Sequence, residues 1–333
     1  MANFENIKLE KGMYGMPGKS FTQVLEELDS SENYRGTPYE GMDAYQRQLM
    51  RYGIRVSGPD SGTVESFFNT TAGAALFPEY VARAVRQGME RSNQVTEIVA
   101  AVTNIDAMDY RTITATEESD DMFPVVAEGT DLPVTDIRAS KGLVHLQKRG
   151  RMLTSSYEAL RFQKLDVFSV ALRQIGAHIA QAQMLDAVNA LVNGDGVKNG
   201  ITFDSATPDY SDFIQLWGKL TPYRLNTIIA GTEAMQKLLN IPEFKDPNAG
   251  MNFQGTGVLC TPLGAKLIHV PGMEAKKIIA LDKDCALEMV QAGGIVTDSD
   301  KLIERQLERA AISAIAGFAR IYEGAAKGIS YTA

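Results

Sequence analysis

The sequence has 333 residues, which suits two domains or one elaborated fold. Apolar residues make up 44% and charged residues 22%, so the chain can bury a sizeable core and is not a fully disordered protein. The net charge of −8 argues against a dedicated DNA-binding domain, which carries a basic stripe. Two cysteines form no disulfide framework, and neither a signal peptide nor a bilayer-length apolar run is visible. We therefore expect an acidic protein made inside the cell.

Residues 1–62 are predicted to form an N-terminal arm. Glycine and proline punctuate the stretch, and two short helical patterns lie within it, one over 21–28 behind Ser20 and one over 42–52. Apolar residues are too sparse for an independent core. We therefore expect the arm to bury its surface on a partner.

Residues 63–104 and 105–154 give two further segments. In the first, a helix with Pro78 in its first turn precedes a β-branched stretch over 95–102 that predicts a strand. The second has alternating patterns over 110–116 and 134–153, with acidic residues and turn residues between them. This pattern predicts a long hairpin whose apolar surface is too small for a core of its own, so it is expected to lie on another surface.

Residues 155–193 carry the strongest helical signal. Apolar residues recur at spacings of three and four from Leu165 to Val192, and Asn193 with Gly194 supplies a stop. Ser155 to Glu158 fits a capping box. The helix is expected to be about 40 Å long at 1.5 Å per residue, which is unusual for a compact domain.

Residues 201–300 are predicted to form a small α/β unit. A helix is expected over 209–220 and another after Thr232, which we predict as its cap. The predicted strands cover 225–230, 266–270 and 277–281. Residues 301–333 stay ambiguous between helix and strand, because their apolar residues fit both periods.

A search for chemistry leaves no catalytic constellation. Residues 12–20 approach the phosphate-binding loop pattern, but Met13 stands where that pattern needs its first glycine. The glycine-rich residues 194–200 follow a helix, unlike a dinucleotide-binding loop. Histidines and cysteines lack the paired spacing of a zinc site, and the acidic residues 117–121 favour a solvated loop tip. We predict no catalytic, cofactor-binding or metal-binding residues, and we infer a protein that contacts copies of itself.

The order of the elements resembles the major capsid proteins of tailed double-stranded DNA bacteriophages, which have the Hong Kong 97-type fold. The resemblance covers about residues 65–333. The stretches that carry it are 125–129 with Pro133, like the extended-loop hairpin of that family; 191–196, like the end of its spine helix; 278–283, like a strand of its axial domain; and 303–306, 317–319 and 325–326, like its C-terminal return.

The resemblance implies an α+β fold and a division of the chain. The implied parts are an N-terminal arm (1–62), an entry into the peripheral domain (63–104), an extended loop (105–154), a peripheral domain with the long spine helix (155–200 and 301–333) and an axial domain (201–300). It also implies that 301–325 is largely strand, against its helical propensity.

The extended loop is the inter-subunit contact that the resemblance implies. The candidate contact residues are Glu117, Glu118, Asp120, Asp121, Val126, Ala127, Glu128, Gly129 and Pro133. The acidic tip is expected near basic side chains of a neighbour, such as Arg83, Arg86 or Arg91. The expected partners are further copies in homo-hexamers and homo-pentamers of an icosahedral shell and packaged double-stranded DNA bound without sequence specificity. Scaffolding, portal and decoration proteins are compatible further partners, and no membrane is expected.

The implied function is that of a structural major capsid protein, located in the virion capsid and assembled in the host bacterial cytoplasm. An encapsulin-type nanocompartment shell, which encloses a cargo protein, is an alternative with the same fold, although encapsulins tend to be shorter. An NTPase based on Gly18, Lys19 and Ser20 is an alternative from a different class.

Overall fold

The computed structural model describes residues 3–16, 19–107, 109–115, 128–129, 137–156, 162–207, 209–245, 261, 263–302 and 307–331. The chain divides into two compact units. The first unit consists of Met1–Asn93, Lys148–Ala180 and Gly293–Ala314, and the second of Gln94–Gln147, Gln181–Ala292 and Ile315–Ala333. Each unit is built from separate stretches of sequence, so neither corresponds to one continuous half of the chain.

The described helices and strands come largely in separate runs, with four helices before the first strand and six strands at the end of the chain, as in an α+β fold. The helices are α1 (Phe21–Leu28), α2 (Ala44–Arg51), α3 (Thr71–Ala74), α4 (Phe77–Ser92), α5 (Leu165–Asn193), α6 (Tyr210–Leu220), α7 (Thr232–Asn240) and α8 (Pro242–Lys245). The strands are β1 (Ala101–Ile105), β2 (Ile113–Ala115), β3 (Ile137–Ala139), β4 (Leu146–Ser156), β5 (Phe203–Ala206), β6 (Thr227–Ala230), β7 (Lys266–His269), β8 (Lys277–Leu281), β9 (Leu287–Ala292), β10 (Val296–Leu302), β11 (Leu307–Arg320) and β12 (Ala326–Tyr331).

The N-terminal segment is folded into the first unit. Ser20 caps α1 and Asp43 caps α2, each with a reciprocal capping box. Phe21 and Leu25 of α1 and Tyr45 of α2 are buried in one core with residues of α4 and α5. The expectation that the apolar residues of 1–62 need a partner for their burial is corrected for these three, because α4 and α5 of the same chain supply the apolar surface.

A buried ion pair ties α2 to the end of α1. Arg47 Nε lies 3.0 Å from Asp29 Oδ2, and both side chains are inaccessible to solvent. Arg47 also donates to three oxygens, the Asp29 carbonyl, Ser31 Oγ and the Met42 carbonyl. Tyr34 donates to the other oxygen of the Asp29 carboxylate at 2.7 Å. The network satisfies the charges that burial would otherwise penalise.

Helices α4 and α5 approach each other through glycine. A Cβ added to Gly88 would lie 2.0 Å from the Arg173 carbonyl oxygen, and one added to Gly176 would lie 2.1 Å from the Val85 carbonyl oxygen. Any side chain at these two positions would push the helices apart, so glycine is required by the close backbone contact.

The periodic helix is confirmed over 29 residues, but its predicted capping box is wrong. Ser155 and Ser156 are the last residues of β4, which pairs with β11, and Glu158 lies outside the described residues. Strand pairing overrides the local Ser-x-x-Glu signal. The Leu165 amide instead donates to the Gly62 carbonyl at 2.9 Å.

The C-terminal stop of α5 is confirmed. Gly194 has φ of 89°, the left-handed conformation that ends many helices. Asp195 then accepts from the backbone amides of Val197, Lys198 and Arg320. This carboxylate fixes the turn after α5 to the end of β11.

Two five-stranded sheets and a separate hairpin make up the described strands. One sheet has the order β1-β9-β11-β10, with β4 also on β11. Strand β1 runs parallel to β9, and β11 runs antiparallel to β9 and β10. Residues 307–320 of the ambiguous C-terminal region therefore form a long strand, as the resemblance implied, because pairing with β9, β10 and β4 overrides local helical propensity.

The other sheet has the order β5-β12-β8-β6-β7. Strand β12 runs parallel to β5 and antiparallel to β8. Residues 326–331 thus pair with strands from the segment 201–300, whereas the predicted division placed them with 155–200. The predicted boundary at residue 300 therefore separates β12 from the strands with which it pairs.

Two local predictions are corrected in the second unit. Val95–Glu97 is a 3-10 turn, and the strand begins only at Ala101. The apolar residues that suggested an earlier strand, Val95, Ile98 and Val99, are instead buried in the core from the turn and the residues just after it. Gly231, not Thr232, is the N-cap of α7. A Cβ at Gly231 would lie 2.3 Å from the Glu274 carbonyl oxygen, which explains the glycine.

Candidate assembly surface

The hairpin of β2 and β3 presents an apolar face to solvent. Its register pairs Ile113 with Ala139 and Ala115 with Ile137. Residues directly and diagonally opposite in an antiparallel pair share a face. Ile113 is 51% exposed and Ile137 is 68% exposed. One subunit thus leaves two large β-branched side chains uncovered side by side.

The base of the hairpin is held by backbone hydrogen bonds. The Ser140 amide donates to the Thr112 carbonyl at 2.7 Å, and the Val144 amide donates to the Tyr110 carbonyl at 2.9 Å. Arg111 Nη1 donates to the Lys141 carbonyl at 2.9 Å. The two backbone bonds extend the β2–β3 pairing to the base of the hairpin, and the Arg111 side chain adds a third bond there.

A buried carboxylate connects this base to the sheet. Glu288 on β9 is 6% exposed. Its Oε1 accepts from Thr103 Oγ1 at 2.6 Å and Tyr110 OH at 2.7 Å, and its Oε2 accepts from Thr112 Oγ1 at 2.5 Å. Burial and the adjacent Glu288 carboxylate raise the pKa of Tyr110, which favours its protonated, donating form.

The predicted contact residues fall mostly outside the described chain. Glu128 and Gly129 are exposed in a turn, and Gly129 has φ of 83°, which favours glycine. The remaining candidates, which lie outside the described residues, are Glu117, Glu118, Asp120, Asp121, Val126, Ala127 and Pro133. Their contact with a neighbouring subunit stays a prediction.

The basic partners suggested for the acidic tip differ in availability. Arg83 already pairs with Asp43 at 2.7 Å and Glu79 at 3.0 Å in its own subunit, and its guanidinium lies over the Tyr45 ring. Arg83 is therefore less available to the tip than Arg86 and Arg91, and the pairing of the tip stays a prediction. Arg86 and Arg91 on α4 are exposed.

A second exposed apolar surface lies at the start of α5. Val167 is 57% exposed, Val170 is 58% exposed, and Phe162 just before the helix is 78% exposed. Sequence reasoning missed this surface because it counted only the buried stripe. The available signal was that apolar residues in the first turns of α5 lie on opposite faces, with Val167 and Val170 on the side away from the buried Leu165 and Leu172.

The phosphate-loop alternative is not supported by the geometry. Lys11–Gly15 is a 3-10 turn, whereas a phosphate loop follows a strand. Lys19 pairs with Glu27 at 2.7 Å, and Ser20 caps α1. In the part of the chain that the structure describes, no three potential ligands cluster as a metal site would require. None of the described helices has the length and apolar character needed to cross a membrane.

Comparison with known proteins gives one family and one fold. A family model described as phage capsid protein matches residues 141–280. No curated protein matches the chain.

Three solved structures show the extent of the similarity. A virus-like particle from Pyrococcus furiosus has 10% identity and a TM-score of 0.51, with 76% of this chain and 98% of that chain covered. The capsid of a native GTA particle has 14% identity and a TM-score of 0.51, covering 74% and 91%. Microbacterium phage Oxtober96 has 8% identity and a TM-score of 0.50, covering 72% and 91%.

These likenesses confirm the predicted Hong Kong 97-type fold. The family match over 141–280 supports a structural capsid shell protein.

Proposed function

We propose that the chain is the major capsid protein of a tailed phage, assembling through its extended hairpin into hexamers and pentamers of an icosahedral shell. The observation that carries this is the exposed apolar face of the hairpin at Ile113 and Ile137. A two-stranded hairpin is marginally stable alone in water, and clustered exposed apolar side chains mark interaction sites.

The start of α5 is the surface proposed to receive the hairpin of another copy. Val167 and Val170 are as exposed as Ile113, and all three are β-branched apolar residues. Burial removes apolar area from water on both partners, at roughly 25 cal/mol per Å². Repeated around a closed shell, one such contact per subunit stabilises the whole assembly.

The proposed content of the shell is double-stranded DNA, held without sequence readout. The net charge of −8 suits a container that must release its genome, because a strongly basic wall would bind phosphates tightly. Assembly in the host bacterial cytoplasm, with or without scaffolding, portal and decoration proteins, belongs to the same proposal.

An encapsulin-type shell is the second candidate. The similarity to a virus-like particle supports this candidate, because its TM-score equals that of the GTA capsid. The two candidates differ in what the particle contains, DNA or a cargo protein.

Electron microscopy of the purified protein, with light scattering after size exclusion, tests the proposal. Closed particles of uniform diameter, or capsomers that close on raising the concentration, are expected. Particles from infected cells should contain nuclease-protected DNA. A stable monomer in every buffer and salt condition would overturn the shell, and a protein cargo in place of DNA would favour the encapsulin.

A further inference from the structure

We propose that Glu288 is a positioning residue for the extended hairpin. It holds the base of the hairpin on the sheet, so that the hairpin projects from the sheet in one fixed direction. This inference rests on the proposed function only for its consequence in assembly. The observation behind it is a single buried carboxylate that receives hydroxyl groups from both the hairpin base and the sheet.

The location of Glu288 makes it a fixed point. It lies within β9, opposite Ala101 of β1 on one side and Ala319 of β11 on the other. Its backbone is therefore held by strand pairing on both sides. A short apolar cluster of Val144, Val290 and Ala319 packs beside the base, with Tyr110 against it. The carboxylate thus projects from a rigid element.

The donors come from two places. Tyr110 and Thr112 directly precede β2 of the hairpin, whereas Thr103 belongs to β1 of the sheet. Thr112 is itself only 2% exposed. Releasing the hairpin base would strip two donors from a buried carboxylate, which costs more than exchanging them for water at the surface.

A carboxylate is better suited to this position than an amide. Its two oxygens accept from all three hydroxyl groups, two on Oε1 and one on Oε2. In Glu288→Gln, one oxygen becomes a donor nitrogen, so at least one hydroxyl must turn round or lose its bond. Charge-assisted bonds are also stronger than neutral ones.

The hydroxyl groups allow a matched experiment on one carboxylate. The double variant Tyr110→Phe/Thr112→Val removes the two donors of the hairpin base and keeps the shapes of the side chains. The variant Thr103→Val removes a donor to the same carboxylate but leaves the hairpin base attached. Hydrogen exchange of the full chain, in its unassembled form, reports the amides of β2 and β3 separately from those of α5.

The double variant is expected to speed exchange in Ile113–Ala115 and Ile137–Ala139 about tenfold or more, with exchange in α5 unchanged. Thr103→Val is expected to leave hairpin exchange within about twofold of wild type. Unchanged hairpin exchange in the double variant, or an equal rise in both variants, would overturn the positioning role. If the double variant fails to fold, Tyr110→Phe alone carries the same test with a smaller rise.

Assembly yield separates this inference from the proposed function. If hairpin exchange rises and wild-type protein forms shells, the double variant is expected to give fewer closed particles. If wild-type protein forms no shells, the proposed function fails, while the exchange result still decides whether Glu288 holds the hairpin. Both results use the same protein preparations.

Discussion

The N-terminal segment and the extended hairpin share a low apolar content, but their apolar side chains are buried in the first and exposed in the second. Both contain too few apolar residues for a core of their own. In the N-terminal segment, Phe21, Leu25 and Tyr45 are buried within the first unit. In the hairpin, Ile113 and Ile137 remain exposed. Apolar content alone therefore does not separate a folding element from an assembly element; what matters is whether the same chain supplies a surface to receive it.

Deleting residues 1–62 is expected to have the largest effect. The deletion removes several buried side chains, each contributing about 1.5–3 kcal/mol, from a protein whose total stability is of the order of 5–15 kcal/mol. The truncated chain should lose the cooperative unfolding transition of the first unit, as measured by circular dichroism during thermal melting. A truncated chain that melts like wild type would restore the view of this segment as an arm.

The substitution Asp29→Ala tests the same segment more finely. It leaves the Arg47 guanidinium buried without its carboxylate, which is expected to cost about 3–5 kcal/mol. Denaturant unfolding measures the change. The control is Glu27→Gln, which removes the exposed pair with Lys19 and should change stability by less than about 1 kcal/mol. Equal effects of the two substitutions would contradict the buried network.

The double substitution Ile113→Thr/Ile137→Thr tests the hairpin face. Both side chains are more than half exposed in the subunit, so its stability should change by no more than about 0.5 kcal/mol. Threonine keeps the β-branched shape that suits a strand. Particle yield by electron microscopy should fall severalfold. Leu28→Gln, at an exposed leucine of α1, is the control that should assemble normally.

The smallest expected effect concerns covalent linkage. The resemblance to Hong Kong 97-type capsid proteins implies that an isopeptide bond from a lysine of the extended loop can join subunits, but residues 112–137 contain no lysine. Mature particles boiled in SDS should therefore run as monomers. A ladder of covalent multimers would contradict this prediction, and Lys141, toward the base of the hairpin, would be the first lysine to test.

Elements with a strong local pattern could be predicted from the sequence. The periodicity of α5 and its stop at Gly194 were confirmed, as were β6, β7 and β8 near their predicted positions. The helix and its stop are set by residues a few positions apart, and the three strands are short runs of buried apolar residues, so the sequence shows both kinds of element directly.

Long-range contacts set the features that the sequence did not reveal. Residues 307–320 form a strand because β9 and β10 pair with them, although alanine-rich residues there favour helix. The Glu288 site joins residues separated by 176 to 185 positions. No local spacing rule connects such distant residues, so only the folded chain shows that the hairpin base and β9 share one carboxylate.

Shortening the hairpin tests most directly whether it is an assembly element. Because the Ser140 amide donates to the Thr112 carbonyl, replacing residues 113–139 with Asn-Gly would remove Ile113 and Ile137 and close the base with a two-residue turn. Thermal melting and electron microscopy should be run on the same preparation. The account predicts a melting temperature close to that of wild type and no closed shells. A shortened protein that still builds normal shells would contradict it, and one that unfolds would place the hairpin in the core.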